Sequence, residues 1–171
     1  MRIETERFLL RYLKPASDDF SQYLSWMRDT ESSPFILGTS ATMTMAELKE
    51  YVIEKNRLYN SRLLGIFEKS RMQHIGNVKL EPIIPEQYAV LGILIGDHSW
   101  RRQGVGYEIL AQLSYFSFTK MNLKELRLGV DVENLAAQAL YLKLGFQFVK
   151  EESNTGTLLK MVLKNNRPKY L

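Results

Sequence analysis

Two cations and two glycines stand together in Arg101-Arg102-Gln103-Gly104-Val105-Gly106-Tyr107, at the head of a run patterned as a helix. The first turn of a helix carries backbone N–H groups without intrahelical partners and the positive end of the macrodipole, so an anion is stabilised there. The chemistry implied is phosphate binding. Two common owners of such a loop are excluded on residues: a dinucleotide fingerprint needs a third glycine where Ile109 stands, and a Walker-type loop needs a Gly-Lys-Ser/Thr that is absent. A bare Gly-x-Gly also describes a surface turn with two solvated arginines, and the loop alone does not choose between these readings.

Composition narrows the field. A chain of 171 residues, 45% hydrophobic, suits one domain over residues 1–171 with a sizeable core. The formal charge of +4 fits an anionic small ligand as well as it fits nucleic acid. With no cysteine, thiol nucleophiles, disulfides and thiolate metal sites are excluded, and with only His74 and His98 no metal site is expected. Charge at Arg2, Glu4, Glu6 and Arg7 occupies the place of a signal peptide's apolar segment, and no run approaches a membrane span. A cytoplasmic protein is expected, with a solvated basic tail over Lys164–Lys169.

The elements that must position the loop follow from patterning. Ile3 to Leu13 reads as a first strand, and Ser17 as the cap of a helix through Phe20, Tyr23, Leu24 and Met27 to about Asp29. After a Ser/Thr-rich loop from Glu31 to Thr42, Thr44-Met45-Ala46-Glu47 spells a capping box for a second helix reaching Tyr59. Two strands, 64–68 and 74–80, form a hairpin, Pro82 and Pro85 break the pattern, and the nearly apolar run 88–95 is a central strand buried on both faces. Val105, Ile109, Leu110, Leu113 and Phe116 give the next helix one apolar stripe. Leu126 to Val132 alternates as a strand parallel to the central one, since a helix connects the two. Asn134 caps a last helix through Ala137, Leu140, Tyr141 and Leu144, closed by Gly145, and 146–150 and 157–163 make a final hairpin. About seven strands and four helices describe a mixed α+β domain, mostly antiparallel, with one parallel central pair.

Taken together, Arg101-x-x-Gly104-x-Gly106 after an apolar strand and Asn134-x-x-Ala137-x-x-x-Tyr141-x-x-x-Gly145-Phe146 resemble the GNAT superfamily of acetyl-CoA-dependent N-acetyltransferases. The resemblance extends over most of the chain and is weakest over residues 14–62. It implies that the coenzyme A pyrophosphate sits on Arg101, Arg102, Gln103, Gly104, Val105, Gly106 and Tyr107. It also implies that the central strand at Ile93, Leu94 and Ile95 splays from its neighbour to meet the donor, and that Asn134 and Ala137 flank the pantetheine arm. Tyr141 is implied as the acid that protonates the departing thiolate, a suitable task for a phenol with an ordinary pKa near 10. The base is not singled out by any motif: Glu81 leads, with Asp97, His98 and Asp131 behind it.

The acceptor is read less directly. The opening residues 3–11 and 23–29 resemble the branch with ribosomal-protein N-terminal acetyltransferases, whereas 75–80 and 91–97 look closer to enzymes acting on amino-sugar nucleotides. A small-molecule amine is favoured, with Trp26, Arg28 and Phe35 as substrate contacts, since an aromatic beside a cation can hold a nucleotide or sugar phosphate. Ordinary packing and surface charge would explain the same residues. The alternatives are an N-terminal peptide acceptor and a coenzyme A-binding module without chemistry. Nucleic acid and membrane partners are not expected, and a homodimer is left open.

Overall fold

The computed structural model describes residues 1–29, 40–149 and 157–166. They build one eight-stranded sheet in the order β1-β2-β3-β4-β5-β6-β8-β7. The strands are β1 (Arg2–Glu4), β2 (Phe8–Tyr12), β3 (Arg62–Glu68), β4 (Gln73–Ile84), β5 (Tyr88–Ile95), β6 (Glu125–Asp131), β7 (Gln147–Phe148) and β8 (Leu158–Lys164). The helices are α1 (Ser21–Arg28), α2 (Met45–Arg57), α3 (Val105–Thr119) and α4 (Leu135–Lys143). Every strand pair is antiparallel except β5 with β6, which is the mixed α+β arrangement expected.

Alternation along the strands sends two sets of side chains to two cores. On one face Val78, Leu80, Ala89, Leu91, Leu126, Leu128 and Val130 bury against Ile109, Leu110 and Leu113 of α3 and Tyr141 of α4. On the other, Leu9, Leu63, Phe67 and Leu94 bury against Tyr23, Trp26 and Met27 of α1 and Leu48 and Val52 of α2. The Thr44 capping box forms: its hydroxyl accepts from the Glu47 N–H at 3.2 Å, while the Glu47 carboxylate accepts from the Thr44 N–H at 2.7 Å.

Four local expectations are corrected. The first strand is two, because Thr5 turns the chain: its N–H donates to the Phe8 carbonyl, and its hydroxyl accepts from the Phe8 N–H, both at 2.9 Å. That adds the eighth strand. Ser17 does not cap α1, which begins at Ser21. Asp18 is instead drawn to Arg11, forming a two-pronged ion pair at 2.7 and 2.9 Å. Pro82 does not end its strand; β4 runs through it with a register shift between Leu80 and Ile83, as proline can at a bulge. Finally, β5 is not buried on both faces throughout, because Gly92 is exposed.

Candidate active site

The strand that sequence patterning makes central is where the sheet comes apart. Tyr88, Ala89 and Val90 pair with Glu125, Leu126 and Arg127, and there the parallel ladder stops, although β5 continues to Ile95 and β6 to Asp131. The other side of β5 stays zipped to β4 as far as Gly76↔Ile95. The Gly96 N–H donates to Ile75 on that zipped side at 3.0 Å. Alternation along an antiparallel strand then directs the amides of Gly92 and Leu94 to β4, and those of Ile93 and Ile95 into the gap. Leu94 is therefore placed differently from its neighbours: its N–H is engaged and its side chain lies in the α1/α2 core.

The end of β5 feeds the arginine-glycine loop. Asp97 opens a short 3-10 turn, His98–Trp100, by accepting from the Ser99 N–H at 2.9 Å, and Trp100 meets Phe8 edge to face with ring centroids 5.5 Å apart. Arg102 and Gly104 then take left-handed backbone angles, φ 61° and 73°. For Gly104 this costs nothing; for Arg102 it is strained by about 1 kcal/mol or more. Contacts hold the turn in place: Arg101 Nε donates to the Ile95 carbonyl at 3.1 Å, and Gln103 Nε2 to the Ser99 carbonyl. Gly104 is the N-cap of α3 and supplies no side-chain cap, which leaves the first-turn amides of Val105, Gly106 and Tyr107 available to an outside acceptor. A Cβ on Gly106 would lie 2.9 Å from the Leu140 side chain of α4, so its bareness also serves helix packing.

Downstream, Asn134 caps α4 by accepting from the Ala137 N–H at 3.1 Å. The helix ends in a Schellman turn: the Gly145 N–H donates to Leu142 and the Phe146 N–H to Tyr141, at 2.9 and 3.0 Å, with Gly145 at φ 93°. The apolar contact that accompanies this turn is Tyr141 against Phe146, with ring centroids 5.7 Å apart. Tyr141 is 9% exposed, and burial raises its phenol above the ordinary value, which keeps the proton on oxygen at neutral pH.

The α1/α2 face of the gap carries different chemistry. Among the described residues nothing lies within 4 Å of a Cβ placed on Gly92, so an open hollow among those residues sits on the central strand. Lys79 is its cross-strand neighbour, and Glu81 lies two residues further along β4. Glu81 accepts from Lys55 at 2.8 Å and faces Lys79 at 3.4 Å, so both its oxygens are ion-paired. Trp26 is a wall of this face more than a free contact: it is 6% exposed and packs on Gly96 and on His74 at 5.1 Å. Arg28 donates to the Met43 carbonyl at 2.7 Å, and Phe35 lies outside the described residues. Tyr141 packs in the core under α3 and Glu81 pairs with Lys55 of α2, so the two lie on opposite faces of the sheet.

A sheet split at its parallel pair, with an uncapped helix start beyond the split strand, is matched by a family model described as an acetyltransferase (GNAT) domain over residues 7–147. The chain belongs to the GNAT family. It is an acetyl-CoA-dependent N-acetyltransferase, and among its described residues no cluster could hold a metal ion and no helix is long and apolar enough to cross a membrane. Solved GNAT folds align over nearly the whole chain. The ribosomal L7/L12 alpha-N-protein acetyltransferase RimL, in complex with coenzyme A, has a TM-score of 0.81 at 15% identity, covering 96% of this chain and 98% of that one. Spermidine N-acetyltransferase from Vibrio cholerae, with coenzyme A and spermine, gives 0.74 at 23% identity, covering 92% and 95%. The microcin C7 self-immunity acetyltransferase MccE, with acetyl-CoA and AMP, gives 0.76 at 13%, covering 94% and 93%. No curated protein matches the chain.

Sequence reasoning missed Gly92, Arg7 and Glu108. A glycine inside an apolar strand is a signal of close backbone or ligand approach, so Gly92 was open to notice. The other two carry no local signature.

His74 has its own consequence for this face. It stacks on Phe67 at 4.9 Å, and its Nε2 lies 2.9 Å from the Gly76 carbonyl and 3.0 Å from Asn77 Oδ1, so that nitrogen carries the proton. Burial pushes the imidazole below its ordinary 6.5, outweighing the hydrogen bonds to Asn77 and Gly76 and the nearby Asp18 carboxylate, which pull the other way. The unfolded chain then binds a proton that the folded one refuses. The stabilisation is complete above about pH 6.5 and is lost as pH falls from there through the folded value. Thermal unfolding of His74→Gln from pH 7.5 to 5 should show a flatter fall in Tm than the parent; parallel curves would remove His74 as the cause.

Proposed function

We propose that this enzyme acetylates the primary amine of a small molecule bearing an anionic group, an amino-sugar nucleotide being the type, by direct attack within a ternary complex. What supports the reading is the gap itself. On one face of the sheet lie the α3 amides and Tyr141, taken here as the donor side, and on the other the Gly92 hollow, taken as the acceptor side. Beside that hollow two ammonium groups, Lys55 and Lys79, pair with the carboxylate of Glu81, and the more exposed of them, Lys79, suits a phosphate-bearing acceptor better than a polyamine.

In this reading Arg101, Arg102 and the amides of Gln103 to Tyr107 hold the pyrophosphate, while Asn134 and Ala137 line the pantetheine arm. An Ile93 or Ile95 amide stabilises the negative charge that develops on the thioester oxygen. The neutral amine forms the new C–N bond as the C–S bond breaks, and Tyr141 returns a proton to sulfur. Glu81 is the carboxylate assigned to accept the amine's proton, once Lys79, the more exposed of its partners, moves aside. Glu81→Gln should lower kcat about 10²-fold with little change in the acetyl-CoA KM. Loss of stability with kcat intact would instead make Glu81 a tie between the two lysines.

Free-thiol release from acetyl-CoA, measured across amino-sugar nucleotides, polyamines, aminoglycosides and N-terminal peptides, tests the acceptor. Turnover confined to the first class is expected. Turnover of peptides or polyamines alone would overturn the assignment, and coenzyme A binding with no turnover at all would mark a binding module.

A further inference from the structure

The turn between β1 and β2 reaches across the molecule to the head of α3. Thr5 Oγ1 donates to Glu108 Oε1 at 2.5 Å, and the Arg7 backbone N–H donates to the same oxygen at 2.9 Å. Arg7 Nε donates to Glu108 Oε2 at 2.7 Å, and Arg7 Nη2 continues to the Gln103 carbonyl at 3.0 Å. Glu108 stands in the first turn of α3, the one place on that helix where a carboxylate would compete with an incoming phosphate for the positive end of the dipole. Three donor contacts take up that carboxylate, and against the upward push of burial they hold its titration below the ordinary carboxylate range. The same guanidinium fixes the carbonyl of Gln103, which lies between the two left-handed residues Arg102 and Gly104.

We infer that Arg7 and Glu108 form a positioning clamp for the donor's pyrophosphate. The clamp neutralises the one carboxylate in the first turn of α3 and holds residues 102–104 in the conformation that turns the α3 amides outward. Arg7 is a positioning residue: it acts through Gln103 and Glu108. Its length and planarity matter, since one fork must reach a carboxylate and a carbonyl together, which a lysine's point charge does not. This inference rests on the reading of residues 101–107 as the pyrophosphate site.

The test compares acetyl-CoA with S-acetyl-pantetheine, a donor without the pyrophosphate, on the full-length enzyme. In Arg7→Gln, the ratio of kcat/KM for acetyl-CoA over that for S-acetyl-pantetheine should fall about tenfold, mostly through the acetyl-CoA KM. Arg7→Lys should recover only part of the loss. If both donors lose in proportion, the network is merely structural and the inference fails; a fall in Tm without a change in the ratio has the same meaning. If the parent enzyme itself shows no preference for acetyl-CoA, it is the pyrophosphate reading of residues 101–107 that fails.

Discussion

Tyr141→Phe should lower kcat by about 10² or more while leaving the affinity for coenzyme A close to that of the parent. The substitution removes one oxygen and keeps the ring that packs on Phe146, so the Schellman turn and the end of α4 survive. The phenol is protonated at neutral pH, and because burial makes it a weaker acid than a free tyrosine, its proton moves only once a full thiolate has formed beside it. Single-turnover kinetics separates this step from product release, and isothermal titration gives the coenzyme A affinity. An unchanged single-turnover rate would move proton donation to another group.

The second large effect is a contrast between two glycines on neighbouring strands. A Cβ on Gly76 would lie 2.2 Å from the Leu94 carbonyl oxygen, a backbone atom that cannot step aside without parting β4 from β5. Gly76→Ala should therefore cost about 3 kcal/mol, a fall in Tm of roughly 10 °C for a chain of this length. Gly92→Val should do the reverse. Its side chain enters open space on an exposed strand position, so stability should hold or rise slightly, whereas kcat/KM for the acceptor should fall about 10²-fold as the hollow fills. Acetyl-CoA KM should change little. A Gly92→Val enzyme with parental acceptor kinetics would place the acceptor elsewhere.

Much of this was legible from local pattern because local pattern is what dictates it. The Thr44 capping box, the Asn134 cap and the Gly145 turn each satisfy backbone groups within a few residues, and each forms as read. The order strand, loop, helix, strand likewise dictates the parallel pair. What escaped is long-range. Whether Ser17 caps a helix depended on Arg11 claiming Asp18 and on Asp18 accepting from the Lys14 N–H, a competition invisible in propensities. Whether Pro82 ends a strand depended on β5 accepting a bulge. Of the candidate site, the anion loop and Tyr141 carried motifs. Their support, Arg7 and Glu108, lies about a hundred residues apart in sequence and could not be paired without the fold.

The split between β5 and β6 has a further side. An unpaired row of backbone donors and acceptors is ordinarily a template for another chain, and proteins blunt such edges by shortening or covering them. Here the outer strands are very short, three residues in β1 and two in β7. The long unpaired stretch among the described residues is instead folded inside the sheet, between strands that remain joined at Tyr88 to Val90. A notch closed at one end offers a second β-strand less room than an open outer edge would, so the unpaired backbone is shielded by its own sheet.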